Sequence, residues 1–305
     1  MDSAKPLLIC VVGPTAIGKS SLAIKLAKAF STEIISADSR QFYKEMSIGT
    51  AVPSQNELAE VPHHFIQNIS IFDAYSVGDF ERDALSLLEI LFNKYNFVIM
   101  VGGSGLYVDA VVKGLDTFPE VPSEIREKLN SELDKKGIEF LQNELKTVDA
   151  PYYEKVDIHN PHRLVRALEI YRATGKPYSS FLKKEAIERD FETLFIGLTA
   201  ERETIYTRIN LRVDQMIEAG LLEEAKELLQ YKEKNALQTV GYRELFEYFD
   251  ENISKEEAIS EIKKNTRRFA KRQNTWFKKN EAIHWFDYNI DTLTIINFLK
   301  EKNAQ

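Results

Sequence analysis

Three observations predict an α/β fold in which a parallel sheet is flanked by helices and interrupted by an inserted helical subdomain. First, Pro6 to Val12 (PLLICVV) and Phe97 to Val101 (FVIMV) are short, continuously apolar runs, the texture of parallel strands buried on both faces. Second, amphipathic helical segments follow such runs, so strand and helix alternate along the chain. Third, both runs end in glycine-rich turns, Gly13 to Ser20 and Gly102 to Gly105, at the sheet edge where ligands bind in this architecture.

The first strand runs into GPTAIGKS, which meets G-x-x-x-x-G-K-[ST] at every fixed position. Behind it, Leu22, Leu26 and Phe30, with Ala23 and Ala27, repeat at helical spacing from Ser20 to Phe30. Strand, glycine loop and helix together are the context of a phosphate-binding loop, so the sheet reads as P-loop NTPase-like. The candidate phosphate-binding set is Gly13, Pro14, Thr15, Ala16, Ile17, Gly18, Lys19 and Ser20. Backbone N–H groups and the helix N-terminus attract the anion, Lys19 adds a full charge, and Ser20 is placed to bind Mg²⁺ across the phosphate oxygens.

Glu33 to Ala37 (EIISA) predicts a second strand, ending at Asp38, Ser39, Arg40 and Gln41. His63 and His64 fall in a loop context without metal-ligand spacing. Asp79 to Tyr95 predicts a helix, with Phe80, Ala84, Leu87, Leu88 and Leu91 on one face. Leu194 to Thr199 predicts a further strand, and the chain is mainly helical from Glu201, with a short strand near Ile283 to Phe286. From about Lys113 to Asp190, Pro119 and Pro122 punctuate charged helical segments with no clear strand. The predicted organisation is therefore a core of residues 1–112 and 191–305, with carboxy-terminal helices, and an inserted helical subdomain at 113–190. The last five residues are expected to fray.

Composition sets the outer limits. A chain of 305 residues with 44% hydrophobic and 29% charged residues can bury a sizeable core. The opening MDSAKP lacks the pattern of a secretory leader, and no apolar run approaches the roughly 18 residues of a membrane span, so a cytoplasmic protein is expected. One cysteine, Cys10, excludes a disulfide framework and a multi-cysteine zinc site within the chain. A net charge of −7 argues against indiscriminate polyanion binding, yet Glu261 to Lys279 holds eight basic residues against one acid. Spacing of four puts Lys264, Arg268 and Arg272 in one row, with Phe269, Trp276 and Phe277 interleaved, a stripe suited to a nucleic-acid backbone. His162, Arg163, Leu164, Val165 and Arg166 give a second basic group in the inserted subdomain.

Asp38 stands at a strand end facing the phosphate loop, where a carboxylate can position a hydroxyl acceptor or take a proton from an amine nucleophile. Ser104 adds a hydroxyl within the Gly102 to Gly105 turn. That third strand lacks the Asp or Glu with which nucleoside triphosphatases hold Mg²⁺, which weakens a plain ATPase reading. Arg208 and Arg212, four apart on a predicted helix, can reach a diphosphate from the far side. On these residues alone a small-molecule kinase, another transferase and an RNA-binding ATPase module all stay open.

The order of motifs narrows the choice. GPTAIGKS, ISADSRQFYK at Ile35, IGTAVPS at Ile48, VPHHF at Val61, VGGSGLYVDA at Val101, NPHRLVRALEIYRATGKP at Asn160, TVGYREL at Thr239 and KRQNTWF at Lys271 resemble the tRNA dimethylallyltransferases, also called tRNA isopentenyltransferases. The resemblance spans nearly the whole chain. It implies transfer of a dimethylallyl group from dimethylallyl diphosphate to N6 of the adenosine next to the anticodon, with Mg²⁺, in a monomeric enzyme acting on the tRNA anticodon stem-loop. It implies a diphosphate in the glycine loop, Asp38 as general base, and Ser104 and Arg212 as catalytic partners. It also implies tRNA contacts at Asp38 to Gln41, Ser104, His162 to Arg166, and Gln238, Thr239, Val240, Gly241, Tyr242 and Arg243, with Arg126 carried over by position. Ser104 departs from the Thr of many members and His162 from the Gln of some. The related adenylate prenyltransferases need no RNA, and the basic stripe and inserted subdomain argue against that variant.

Overall fold

The structure is a computed structural model that describes residues 5–182 and 187–303. Residues 1–4, at the amino terminus read above, and 183–186, at the end of the predicted insertion, lie outside the described residues, as do the last two of the five residues expected to fray. The other three continue a helix.

Alternation along one strand explains the layers. In β1 (Leu7–Val12) every residue is buried; Leu7, Ile9 and Val11 belong to one hydrophobic core, and Leu8, Cys10 and Val12 to a second. A period of two with both faces apolar requires cover on both sides. The chain continues through α1 (Lys19–Phe30), β2 (Ile34–Ser36), α2 (Gln55–Glu60), β3 (His63–His64), α3 (Val77–Phe92), β4 (Phe97–Val101) and α4 (Gly105–Lys113). Leu22, Ala23 and Leu26 of α1 close the first core, while Phe80, Ala84 and Leu88 of α3 and Val108 and Val111 of α4 close the second.

The chain divides into two compact units, residues 1–113 with 188–305, and residues 114–187. The second unit is helical: α5 (Ser123–Lys136), α6 (Ile138–Val148), α7 (Ala150–Tyr153) and α8 (Pro161–Thr174). Leu129, Leu141, Leu145, Leu164 and Leu168 form its core. Glu169 is buried there, and its carboxylate accepts hydrogen bonds from Arg126 and Arg166. Two guanidinium groups offset the cost of burying that charge.

In the first unit the chain resumes with β5 (Glu192–Thr199), α9 (Arg202–Glu218), α10 (Leu221–Leu228), α11 (Tyr242–Phe249), α12 (Lys255–Phe277), β6 (Ile283–Asp287) and α13 (Thr292–Asn303). The sheet has the order β3-β2-β4-β1-β5-β6 with every pairing parallel, so all strand C-termini open on one edge. α9 to α12 build a third core around Val213, Leu221, Tyr242, Leu245 and Ile262.

Two local expectations change. The helix expected from Asp79 starts at Val77, because Ser76 caps it and Asp79 is the reciprocal partner in a capping box, worth about 1 kcal/mol. His63 and His64, expected in a loop, form the edge strand β3, too short to carry an apolar pattern. His64 Nε2 meets Glu33 Oε2 at 2.6 Å and His63 Nδ1 meets the Val61 carbonyl at 2.7 Å, so both rings are held structurally. Among the described residues no group of three or more His, Cys, Asp or Glu side chains could hold a metal, and no helix is long and apolar enough to cross a membrane.

Candidate active site

A cavity of about 540 Å³ opens at the strand C-termini of the first unit. The phosphate loop gives it Thr15, Lys19 and Ser20; the turn after β2 gives Asp38 to Gln41; the turn after β4 gives Gly102 to Gly105; and α9 gives Arg212. Three segments far apart in sequence converge because their strands, β1, β2 and β4, are adjacent and parallel.

Lys19 opens α1, and its Nζ donates to the Pro14 carbonyl at 2.8 Å, which folds the ammonium back over the loop. Burial pushes it down to about 8; Asp38 works against that fall and Arg212 adds to it. Arg212 is also held below its usual range, first by burial and then by Arg208. No hydrogen bond or ion pair to Arg212 is found among the described residues, whereas Arg208 donates to the Ala16 carbonyl at 2.8 Å and braces the loop. Two crowded cations with one carboxylate between them favour an anion in the cavity. Burial raises Asp38 above the ordinary carboxylate range, opposed by the Arg40 backbone N–H on Oδ1 and by Lys19. A carboxylate held there is a better proton acceptor than one in water.

Ser104 joins the two turns: its Oγ accepts the Ser39 N–H at 3.2 Å and lies 3.2 Å from Ser39 Oγ. The glycines around it serve packing. A Cβ at Gly103 would lie 2.2 Å from Gln273 Nε2, and one at Gly105 would lie 2.2 Å from the Trp276 ring, so the turn accepts α12 only if both positions are bare. Gln273, which the sequence reading passed over, is buried; its Oε1 accepts the Thr15 N–H at 2.8 Å and its Nε2 donates to the Gly103 carbonyl at 3.0 Å. The available signal was a polar residue in the apolar row Ala270, Gln273, Phe277.

The remaining predicted residues separate into groups. Gln238 to Gly241, Arg243 and Arg272 line the same cavity. Arg40 lines it too, but its Nη1 is also tied to the carbonyls of Asn235 and Ala236. Gln41 holds the neighbouring turn with its amide, donating to the Thr50 and Ala51 carbonyls and accepting from Ser36 Oγ. A role in reading a base would need those bonds to open. Tyr242 is fully buried with its hydroxyl on Glu224, and Leu164 and Val165 are core residues of the second unit, so their side chains cannot meet RNA. His162 and Arg163 are exposed on α8, with Arg126 and Arg166 engaged by Glu169. The α12 stripe is only partly free: Lys264 pairs with Glu261 at 2.6 Å and Lys263 with Asp214 at 2.6 Å, while Arg268 and Arg272 are exposed, the latter 5.6 Å over Phe269.

Residues 41–280 match the family model for IPP transferase. The chain belongs to that family. It is 60% identical over 295 residues to the tRNA dimethylallyltransferase of Christiangramia forsetii, covering 97% of this chain and 98% of the relative, and 57% identical to that of Flavobacterium psychrophilum, again with 97% and 98% covered. Among solved structures it is similar to the tRNA isopentenylpyrophosphate transferase of Bacillus halodurans, with 37% identity, a TM-score of 0.73 and coverage of 98% and 97%. A eukaryotic dimethylallyltransferase acting on tRNA matches with 27% identity and a TM-score of 0.77, over 98% of this chain and 77% of that one. The parallel α/β fold is common to all of these structures.

Proposed function

We propose that this chain is a tRNA dimethylallyltransferase: it moves a dimethylallyl group from dimethylallyl diphosphate to the N6 amine of the adenosine beside the anticodon. The observation that carries this reading is the cavity's charge layout. Lys19, Arg212 and Asp38 line the cavity close enough to shift one another's ionisation, and Leu106, Phe269 and Trp276 line it as well and supply apolar surface. That combination suits a diphosphate with a short hydrocarbon tail and an acceptor amine. The strand before Gly102 ends in Val101, with no acid for a nucleotide-bound metal.

In the reaction the allylic C–O bond to the diphosphate breaks and a bond from that carbon to N6 forms. Lys19 and Arg212 hold the departing negative charge, and Asp38 accepts the N6 proton. Mg²⁺ fits Ser20: its hydroxyl, a hard oxygen donor, lines the cavity beside Lys19 and has no hydrogen-bond partner among the described residues, so it would hold the ion together with diphosphate oxygens. When bound, the ion would neutralise diphosphate charge. The acceptor base must leave its stack to reach the cavity.

The tRNA contacts proposed for the first unit are Arg40, Gln238, Thr239, Arg243, Arg268 and Arg272; those for the second are His162, Arg163, Arg126 and Arg166. A cytoplasmic, monomeric enzyme acting on the anticodon stem-loop fits this reading. Mass spectrometry of a stem-loop incubated with the protein, Mg²⁺ and dimethylallyl diphosphate tests it. The expected product gains one C5H8 unit. A phosphorylated product from ATP, or prenylated AMP in place of prenylated RNA, would overturn it.

A further inference from the structure

Glu224 of α10 lies outside the cavity lining, yet its carboxylate organises one wall. Oε2 accepts the N–H groups of Ser47 at 3.0 Å and Ile48 at 2.8 Å; Oε1 accepts the Gly49 N–H at 2.9 Å and the Tyr242 hydroxyl at 2.6 Å. A carboxylate collecting three successive backbone donors fixes the path of that turn. The turn is constrained on its other side as well. A Cβ at Gly49 would lie 2.6 Å from the Tyr242 ring, and Ala51 holds a left-handed φ of 52°.

The constraint continues toward the chemistry. The Thr50 and Ala51 carbonyls receive the Gln41 amide at 3.2 and 2.9 Å, and the Gln41 N–H closes on the Asp38 carbonyl at 3.0 Å. Hydrogen bonds and the backbone they fix therefore lead from Glu224, through residues 47–51 and Gln41, to the turn that carries Asp38. We propose that Glu224 is a positioning residue for Asp38, setting the proton acceptor's place relative to the acceptor amine. This rests on the reaction proposed above.

The test is a double-mutant cycle with Glu224→Gln and Asp38→Asn in the intact chain, measuring kcat, the affinity for dimethylallyl diphosphate, and the affinity for the stem-loop. Glu224→Gln keeps the shape but replaces one acceptor oxygen with an NH₂ group facing backbone donors. With Asp38 present, kcat is expected to fall roughly tenfold to a hundredfold, since a small misplacement has that effect. Both affinities stay within about twofold, and in the Asp38→Asn background the same change costs less than about twofold, because residues acting through one group are not additive. Tyr242→Phe removes one bond to the same carboxylate and repeats the pattern more weakly; it carries the test if Glu224→Gln does not fold. Equal losses in both backgrounds, or a parallel loss of donor binding, would mark Glu224 as structural only. No product from the wild type would overturn the reaction and this role with it, whereas a normal wild-type rate matched by both variants overturns this role alone.

Discussion

Lys19→Met removes the charge of the phosphate loop while keeping its length, and the ligand-free protein is expected to become more stable. Burial holds the Lys19 ammonium down to about 8 from 10.5. Keeping that amine charged in the folded protein at neutral pH costs about 3 kcal/mol on this basis. Lys19 is partly open to the cavity, which reduces the figure, and the variant also forfeits the hydrogen bond to Pro14, worth about 1 kcal/mol. A net gain of about 1 kcal/mol remains, or about 1–3 °C in Tm for a chain of this size. The sign is set by proton binding. Between about 8 and 10.5 the unfolded chain binds a proton that the folded chain does not, so wild-type stability rises with pH across that window. The variant's advantage is full below about pH 8 and fades toward pH 10.5. Thermal melts with and without diphosphate and Mg²⁺ read both halves of the idea: the variant melts higher alone and gains less from the ligand. A variant that melts below the wild type at about pH 7, or an advantage unchanged up to about pH 10, would refute the reasoning.

Asp38→Asn should lower kcat by roughly two to four orders of magnitude. Because burial raises the Asp38 carboxyl and the base must be ionised, the wild-type rate should fall, as pH drops, at a point above the ordinary 3.8, and the variant should lack that limb. A limb that persists in the variant assigns the proton transfer to another group. Gly49→Ala puts a methyl carbon 2.6 Å from the Tyr242 ring and should cost about 1–3 kcal/mol, read as a lower urea midpoint; an unchanged midpoint would mean the ring moves freely. Replacing Arg268 and Arg272 by Gln should weaken stem-loop binding and reduce the slope of log affinity against log salt by about 1–2, while Lys264→Gln, already paired with Glu261, should change little. Equal slopes for all these proteins would return the stripe to ordinary solvated surface.

The sheet was legible because its strands announce themselves locally: six consecutive apolar residues in β1, five in β4, each followed by glycine. The two-residue β3 was not, since pairing of so short a segment is decided by its neighbour β2. In the site, Lys19, Asp38 and Ser104 could be located from strand ends and the glycine loop, whereas spacing offered Arg208 and Arg212 alike and only the family resemblance singled out Arg212. Glu224 could not be located in this way, and Gln273 shows only as a polar residue in an apolar row of α12, which does not say what it binds. Both act through backbone groups of distant segments, and no local pattern records which amide a side chain will meet. For the basic stripe the charges are legible but not their partners: the fold pairs Lys263 with Asp214 of another helix and Lys264 with Glu261 of its own.

The bond from Thr15 to Gln273 spans 258 positions. During synthesis the amino-terminal strand and its glycine loop leave the ribosome long before α12 exists, so the nascent chain carries the complete phosphate motif without the brace that shapes it. The segment that braces the loop is also the one that brings Arg272 and Trp276 to the cavity. Competence to hold the donor and competence to meet the acceptor therefore arrive together, when the last large helix docks, and a chain interrupted before Gln273 would bear the motif without a finished site.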